Sequence, residues 1–162
     1  MIRTGLGYDI HRLKEGRRLV LGGETIPFEK GLHGHSDADV LLHAIIDAML
    51  GAAAMGDIGQ RFPDTDPAYK NADSRKLLRK TVWLVREKGF DTGNVDAVIT
   101  AQQPRLQSFI PAMRKNIAAD LEISVDSVSV KATTSEKIGT VGREEGISAT
   151  AVCLLFSSDQ KR

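Results

Sequence analysis

A run of apolar residues between positions 40 and 49 is the feature that most constrains the fold of this chain. These residues recur at the spacing of one helix face, and they are Val40, Leu41, Ala44, Ile45, Ala48 and Met49. Ser36 is a good N-cap for such a helix, and Asp39 stands where a capping box usually has Glu or Gln. The pattern predicts a buried helix that begins after Ser36 and ends between Gly51 and Gly56.

The rest of the chain predicts a small sheet and two further helices. Residues 2–13 form a glycine-rich opening strand, and Gly22-Gly23 between two apolar stretches indicates a two-residue hairpin. Further strands are expected over 94–101, 128–132 and 148–156, helices over 74–88 and 111–121, and a long loop over 57–73. A loop of that length in a compact domain is usually functional or mobile. The order of these elements predicts a mixed α/β (α+β) fold with a small mixed β-sheet and three main helices.

The composition excludes several classes of protein. Lys and Arg number 22 and Asp and Glu number 21, so the net charge of +1 argues against a protein that coats nucleic acid or an anionic membrane. No apolar run is long enough to span a bilayer, and the N-terminal segment becomes charged and glycine-rich too early for a signal peptide. The single cysteine, Cys153, excludes an intramolecular disulfide, and its apolar neighbours predict a buried strand position. We therefore expect one soluble, cytoplasmic domain over residues 1–162.

Asp9 and His11 are the first candidate metal ligands. In a strand their side chains point to the same face, whereas Ile10 between them should point into the core. A carboxylate oxygen beside an imidazole nitrogen supplies two of the three protein ligands of a catalytic zinc site. The alternative is a polar edge strand with two solvated residues. His43 is the candidate third ligand because a rigid helix would position it, although spacing alone does not establish that role.

Two carboxylates share a helix face with His43. Asp39 and Asp47 lie four residues before and after it. A carboxylate beside a metal-bound histidine commonly orients the imidazole through its other nitrogen. The alternative is that these carboxylates cap the helix or face solvent, and for Asp39 the two roles are compatible.

Two later segments have the composition expected of anion and sugar contacts. Residues 131–139 follow a predicted strand and contain three hydroxyls, one carboxylate and two lysines. Hydroxyl and backbone N–H groups donate to phosphate oxygens, and Glu136 can hold a hard cation; the alternative is a Thr-rich strand end. The segment is not a P-loop, because the GxxxxGKS/T pattern is absent. Residues 63–66 carry two carboxylates that either bind sugar hydroxyls or shape a turn.

Four motifs and the strand after the last of them carry a resemblance to a known family. In chain order the motifs are GLGYDIHRL, HSDADVLLHAIIDAMLGAAAMGDIG, FPDTDPAYKNADS and KATTSEKIGTVGREEG. Together they resemble the 2-C-methyl-D-erythritol 2,4-cyclodiphosphate synthase family from about Gly5 to Leu155, which is nearly the whole chain.

The resemblance implies a metal-dependent phosphorus–oxygen lyase of the non-mevalonate route to isoprenoid precursors. The implied substrate is 4-diphosphocytidyl-2-C-methyl-D-erythritol 2-phosphate, whose 2-phosphate attacks the β-phosphorus of its own CDP group. The implied products are 2-C-methyl-D-erythritol 2,4-cyclodiphosphate and CMP. The implied assembly is a homotrimer, with sheets packed around a three-fold axis and active sites shared between subunits.

The resemblance also assigns metal ligands and catalytic residues. The implied ligands of a zinc ion are Asp9, His11 and His43. Glu136 matches the ligand of a second divalent cation, Mg²⁺ or Mn²⁺. His35 and Thr134 match the residues that stabilise the transition state.

Substrate contacts implied by the resemblance fall into three groups. Contacts to the phosphates, ribose and erythritol involve Ser36, Asp57, Ile58 and Gly59. The erythritol phosphate pocket involves Phe62, Pro63, Asp64, Thr65 and Asp66. The cytidine pocket, completed across the subunit boundary, involves Ala101, Gln102, Gln103, Pro104, Arg105, Leu106, Gln107, Ala132, Thr133 and Thr134, with Ser135 in the same segment.

Two positions depart from the family pattern. Thr140 stands where Phe is common, in a segment that with Arg143 lines the central cavity of the trimer, which can hold an isoprenoid diphosphate. Loss of the aromatic side chain weakens the expectation of that ligand, whereas Arg143 remains as an anion partner. Arg105 replaces a common Lys near the cytidine diphosphate, and a guanidinium still serves phosphate.

Two other functions are compatible with these residues. One is a zinc-dependent phosphohydrolase that uses water as the nucleophile, and the other is a non-catalytic trimer that binds a nucleotide or a prenyl diphosphate. The reaction products distinguish the first from a synthase. The joint presence of the zinc ligands, Thr134 and Glu136 argues against the second.

Overall fold

The computed structural model describes residues 1–158 and contains one main sheet and one hairpin. The strands are β1 (Ile2–Glu15), β2 (Leu19–Leu21), β3 (Glu24–Ile26), β4 (Lys30–Leu32), β5 (Phe90–Thr100), β6 (Val128–Thr133) and β7 (Gly146–Ser157). The five-stranded sheet has the order β4-β1-β7-β5-β6, in which β5 and β6 are parallel and the other neighbours are antiparallel. The hairpin β2–β3 turns at Gly22-Gly23, as predicted, and both glycines have positive φ.

Three long helices pack with the sheet, as the apolar spacing predicted. The helices are α1 (Val40–Ala52), α2 (Ile58–Arg61), α3 (Ser74–Glu87), α4 (Ile110–Leu121) and α5 (Gly139–Gly142). The segment predicted as a loop over 57–73 contains the short helix α2 and a 3₁₀ turn at Pro67–Tyr69. Within the part of the chain that the structure describes, no helix has the length and apolar character that crossing a bilayer requires.

The start of α1 differs from the prediction. Its N-cap is Asp39, whose side chain accepts a hydrogen bond from Leu42 N, so the assignment of the cap to Ser36 was wrong. The Ser36 hydroxyl instead accepts from Ala38 N within a tight turn. Ala38 has a φ of 57°, which interrupts helical geometry immediately before the cap.

Two glycines allow α1 to lie unusually close to β1. A Cβ atom on Gly5 would lie 1.9 Å from the carbonyl oxygen of Ala48, and one on Gly7 would lie 1.9 Å from that of Ala44. Because side chains alternate along a strand, the face of β1 that carries these glycines also carries Asp9 and His11. The close approach therefore brings this end of β1 against the α1 turn that contains His43.

The opposite face of β1 is open. Ile10 is 43% exposed, so the expectation that it points into the core was wrong. Leu6 and Tyr8 of β1 and Val152 of the adjacent strand β7 are also exposed. The helices cover only the face that carries the glycines, and nothing among residues 1–158 covers the other. We call Leu6, Tyr8, Ile10 and Val152 the open sheet face.

Cys153 lies in β7, as predicted, and is buried. Burial raises the pKa of its thiol to about 11, so the reactive thiolate is scarce at neutral pH. The residue therefore acts as a small apolar side chain of the core.

Replacing Gly7 with alanine is expected to destabilise the protein by about 3 kcal/mol or more, because the new Cβ would overlap backbone atoms of α1. Gly51→Ala is the control, because a Cβ there meets nothing within 4 Å. We expect that control to keep the stability of the unmodified protein or to gain up to about 1 kcal/mol. Urea unfolding at fixed protein concentration measures both. A Gly7→Ala variant of unchanged stability would contradict the close helix–strand contact.

Candidate functional site

Asp9, His11 and His43 meet where the end of β1 faces α1. Asp9 Oδ2 lies 2.9 Å from His11 Nε2 and 3.1 Å from His43 Nδ1, and the two nitrogens are 3.2 Å apart. These three residues form the group within residues 1–158 that can hold a metal ion, and we call them the Asp-His-His cluster. The structure thus brings together the three ligands expected from the sequence.

The donor atoms of this cluster fit a zinc ion. Zinc–nitrogen bonds of about 2.0–2.1 Å in a tetrahedral site place neighbouring ligand atoms about 3.3 Å apart, close to the separations found here. His11 Nδ1 donates to the carbonyl oxygen of His33 at 2.9 Å, so in the neutral imidazole the lone pair of Nε2 is directed at the centre of the cluster. One carboxylate and two imidazoles are also a common zinc ligand set.

The protonation of the cluster reflects the proximity of these groups. Burial raises the pKa of Asp9, but hydrogen bonds and charge from His11 and His43 outweigh it and hold that pKa well below its usual range. Burial lowers the pKa of His11, but the hydrogen bond to Asp9, the negative charge of Asp9 and the hydrogen bond to the His33 carbonyl together outweigh this effect and leave the pKa raised. A divalent cation in the cluster would take the place of the His11 proton.

The carboxylates that share a helix face with His43 do not contact its imidazole. Asp39 is fully buried and accepts from Gly22 N at 3.0 Å and Gly23 N at 2.8 Å, so it joins the hairpin to the start of α1. Burial and the nearby charge of Asp37 raise the pKa of Asp39 to about 6, although its backbone hydrogen bonds oppose the shift. The capping role proposed as the alternative for Asp39 is the one observed.

Asp47 fixes the next segment of the site. Its Oδ1 accepts from Ile58 N at 3.0 Å and so holds the first turn of α2 against α1. The orienting partner of His43 is therefore neither Asp39 nor Asp47. His43 Nε2 lies instead 3.0 Å from the hydroxyl of Ser74 and 3.2 Å from that of Ser36.

A cavity of about 380 Å³ opens beside the Asp-His-His cluster, and we call it the cluster cavity. Besides the cluster, residues expected from the sequence line it: His35, Ser36, Ile58, Gly59, Phe62 and Asp64. His35 Nε2 is buried and has no hydrogen-bond partner among the described residues, so its hydrogen-bonding capacity is unsatisfied in the free protein. Tyr69 and Leu77 also line the cavity; Tyr69 lies within the FPDTDPAYKNADS motif, but neither residue was expected to be part of the site.

Four further residues expected to contact substrate lie on the same loop but do not line the cluster cavity. Asp57 caps α2 and accepts from the backbone and side chain of Gln60. Asp66 accepts from Ala68 N at 2.9 Å, so it shapes a turn, which was one of the two roles considered for this segment. Pro63 and Thr65 are not among the residues that line the cluster cavity.

A second cavity, of about 290 Å³, lies at the carboxyl ends of the parallel strands β5 and β6, and we call it the strand-end cavity. It is lined by Ala101, Gln102, Pro104, Arg105, Leu106, Gln107, Ala132, Thr133 and Thr134. Gln103, expected in the same group, is not among the lining residues. Ligands commonly bind outside the carboxyl ends of parallel strands, because the loops there diverge and leave a crevice.

Thr134 and Glu136 contact each other at the rim of the strand-end cavity. Thr134 Oγ1 donates to Glu136 Oε1 at 3.0 Å and accepts from Glu136 N at 3.2 Å. Both side chains are exposed, and the buried hydroxyl of Ser135 between them has no partner among the described residues. The arrangement presents a hydroxyl and a carboxylate together to a ligand.

Thr140 and Arg143 lie apart from both cavities. Thr140 lines a small cavity of about 190 Å³ with Ile10 and His11. Arg143 Nε forms an ion pair with Glu145 Oε1 at 2.7 Å, so its charge already has a partner in this chain.

The two cavities share no lining residue within one chain. The strand register places Asp9 opposite Ala149, Ala149 opposite Ile99, and Ile99 opposite Ala132. These residues therefore lie along one line across the sheet, and three strand spacings separate Asp9 from Ala132 by roughly 14 Å. Both cavities therefore lie near the same end of the sheet.

Comparison with known proteins identifies relatives of this chain. It is 62% identical over 160 residues to a 2-C-methyl-D-erythritol 2,4-cyclodiphosphate synthase of Laribacter hongkongensis, covering 99% of both chains. It is 61% identical over 154 residues to the synthase of that name from Geobacter metallireducens, covering 95% of this chain and 98% of the relative.

Solved structures show the same fold. A bifunctional IspDF from Campylobacter jejuni matches with a TM-score of 0.93 and 45% identity, over 99% of this chain and 44% of that longer chain. A CDP complex of IspF from Plasmodium falciparum matches with a TM-score of 0.84 and 38% identity, over 96% of both chains. A sequence model of the YgbB family matches residues 2–156. The chain therefore belongs to the YgbB family, together with relatives named 2-C-methyl-D-erythritol 2,4-cyclodiphosphate synthase.

Proposed function

We propose that this chain is a 2-C-methyl-D-erythritol 2,4-cyclodiphosphate synthase of the non-mevalonate pathway. It converts 4-diphosphocytidyl-2-C-methyl-D-erythritol 2-phosphate into the cyclic diphosphate and releases CMP, as a cytoplasmic phosphorus–oxygen lyase. The observation that carries the proposal is the pairing of the Asp-His-His cluster with a separate strand-end cavity, in a chain that aligns over 99% of its length with a synthase. Incubation of the pure protein with this substrate and Mg²⁺, followed by assay of CMP and the cyclic product, tests it.

The reaction needs positioning more than a protein nucleophile. The attacking group is the 2-phosphate of the substrate itself, so binding must fold the substrate back on its own diphosphate. Holding both reacting groups in one near-attack geometry lowers the entropic part of the barrier. The negative charge on the phosphoryl oxygens must also be neutralised, which is the dominant requirement of phosphoryl transfer.

The residues that would hold the cations are the Asp-His-His cluster for zinc and Glu136 for Mg²⁺ or Mn²⁺. When bound, such cations act as Lewis acids on phosphoryl oxygens and as a template for the folded substrate. The exposed carboxylate of Glu136 suits a hard divalent cation, and the two imidazoles of the cluster suit zinc.

The remaining side chains divide the substrate between the two cavities. His35 and Ser36 line the cluster cavity and would contact phosphate. Phe62 and Asp64 would contact the erythritol phosphate, and residues 57–59 the ribose and erythritol. The strand-end cavity would hold the cytidine, with Thr134 at its rim donating to the phosphoryl oxygens.

The proposed enzyme is a homotrimer with shared active sites. Within one chain the cluster cavity and the strand-end cavity have no common lining residue, and in the proposed trimer the cluster cavity of one chain would lie beside the strand-end cavity of its neighbour. The open sheet face offers the apolar surface that such an assembly would bury. Packing of this face around a three-fold axis would cover Leu6, Tyr8 and Ile10.

Replacing Leu6 with aspartate is expected to dissociate the trimer and abolish activity, because a charge cannot be buried unpaired in an apolar interface. The unmodified protein should sediment at about three times the 17.6 kDa of one chain. Trp83→Asp is the control: this exposed aromatic residue lies on α3, away from the open sheet face, and its replacement should leave the trimer intact. Sedimentation velocity measures the assembly. A monomeric protein with full activity would contradict the shared-site proposal.

A further inference from the structure

The imidazole of His43 uses both nitrogens in the structure. Nδ1 faces the Asp-His-His cluster, at 3.1 Å from Asp9 Oδ2. Nε2 faces away from it and lies 3.0 Å from Ser74 Oγ. In a neutral imidazole one nitrogen carries the hydrogen and the other the lone pair, so the partners of Nε2 determine what Nδ1 can offer.

The hydrogen of the Ser74 hydroxyl is committed elsewhere. Ser74 Oγ donates to Asp37 Oδ1 in a short hydrogen bond, and Ser74 N donates to Asp37 Oδ2 at 3.0 Å. The oxygen of Ser74 can therefore only accept from His43. Nε2 therefore carries a hydrogen in this arrangement, and in the neutral imidazole the lone pair lies on Nδ1 and faces the cluster.

Ser36 does not impose this choice. Its Oγ is 3.2 Å from His43 Nε2 and already accepts from Ala38 N. Its own hydrogen is still available, so Ser36 could donate to an unprotonated Nε2 as readily as accept from a protonated one. Of the two hydroxyl groups near Nε2, only that of Ser74, because of Asp37, discriminates between the two tautomers of His43.

Ser74 is not a nucleophile, despite its contact with a histidine. The residue is fully buried at the first position of α3, and its hydroxyl points between His43 and Asp37. Its hydrogen is donated to the carboxylate and not to the imidazole, which is the reverse of the order in a nucleophilic triad.

We propose that Ser74 and Asp37 are positioning residues that hold His43 in the tautomer with the lone pair on Nδ1, and so prepare the Asp-His-His cluster for a cation. The inference rests on the metal role in the proposed function. Replacement of such hydrogen-bond partners typically weakens metal affinity by roughly 10- to 100-fold. Sequence spacing gave no sign of this contact, because Ser74 lies 31 positions from His43 along the chain.

The test compares Ser74→Ala with Asp73→Ala. Asp73 caps the same helix through Arg75 N at 2.9 Å but does not touch His43, so its replacement destabilises α3 without disturbing the tautomer. Zinc dissociation constants are measured by competition with a coloured chelator, with zinc alone as the probe. We expect Ser74→Ala to bind zinc roughly 10- to 100-fold more weakly and Asp73→Ala to bind it as the unmodified protein does. Asp37→Asn should also weaken zinc binding, and it replaces Ser74→Ala in the test if that variant does not fold.

The inference would be overturned if Ser74→Ala and Asp37→Asn bound zinc as tightly as the unmodified protein. It would also be overturned if Asp73→Ala weakened zinc binding as much as Ser74→Ala does. The ¹⁵N resonances of His43 in the metal-free protein give a second measurement, assigned by their loss in His43→Ala. They should report a hydrogen on Nε2 in the unmodified protein and a mixture of tautomers in Ser74→Ala; identical tautomers in both would also overturn it. If the unmodified protein binds no zinc, the metal role fails, and the resonances still decide the role of Ser74.

Discussion

Replacing His43 with alanine is expected to abolish zinc binding and catalytic activity while leaving the fold intact. The change removes one of three ligand atoms that lie within about 3 Å of one another in the Asp-His-His cluster. The loss of affinity should exceed the roughly 100-fold that follows removal of a mere hydrogen-bond partner of a ligand. Metal content after dialysis and chelator competition measure the binding, and circular dichroism monitors the fold.

His33→Ala is the matched control for that variant. The side chain of His33 is exposed, and the residue contacts the cluster through its carbonyl oxygen, which accepts from His11 Nδ1. Alanine keeps that carbonyl, so zinc binding and activity should persist. Stoichiometric zinc or full activity in His43→Ala would remove this cluster as the metal site.

Replacing Thr134 with alanine is expected to lower kcat by about 10²–10³, with little change in KM, as loss of a single donor to a developing oxyanion does. The Thr134 hydroxyl would donate to charge that grows on the phosphoryl oxygens during attack. Such an interaction is stronger in the transition state than in the ground state, so its loss appears in kcat. Thr134→Ser keeps the hydroxyl and should retain most of the activity. A large rise in KM at unchanged kcat would assign Thr134 to ground-state binding instead.

Glu136 is expected to act differently, although its carboxylate accepts a hydrogen bond from Thr134. Glu136→Gln keeps the shape of the side chain but removes the charge that would hold a divalent cation. Raised Mg²⁺ should therefore partly restore the activity of Glu136→Gln and have no effect on Thr134→Ala. A Mg²⁺ titration of both variants measures this. Equal rescue of both, or of neither, would contradict the division of roles.

The sequence predicted the elements of the fold better than their surroundings. The apolar spacing from Val40 predicted the body of α1, because a buried helix face repeats its pattern along the chain, but the cap lies at Asp39 and not at Ser36. Alternation along β1 correctly placed Asp9 and His11 on one face, but it did not reveal which face the helices cover. Which face is covered depends on the close contacts of Gly5 and Gly7 with α1. These contacts cannot be read from the sequence, so Ile10 was wrongly assigned to the core.

The partners of the site residues were the least predictable part. Asp39 could serve either as a cap or as a partner of His43, and only the path of the β2–β3 hairpin decides for the cap. Ser74 reaches His43 because α3 begins beside α1, which is a tertiary arrangement that no local pattern encodes. Likewise, residues 101–107 and 132–134 meet because β5 and β6 are parallel neighbours, and their expected meeting came from the family resemblance.

The most direct test of the central claim is the identity of the products. Purified protein is incubated with 4-diphosphocytidyl-2-C-methyl-D-erythritol 2-phosphate and Mg²⁺, and the products are separated and identified by ³¹P NMR and mass spectrometry. The account predicts CMP and 2-C-methyl-D-erythritol 2,4-cyclodiphosphate in equal amounts. Release of inorganic phosphate without the cyclic diphosphate would identify a metal-dependent phosphohydrolase and contradict it.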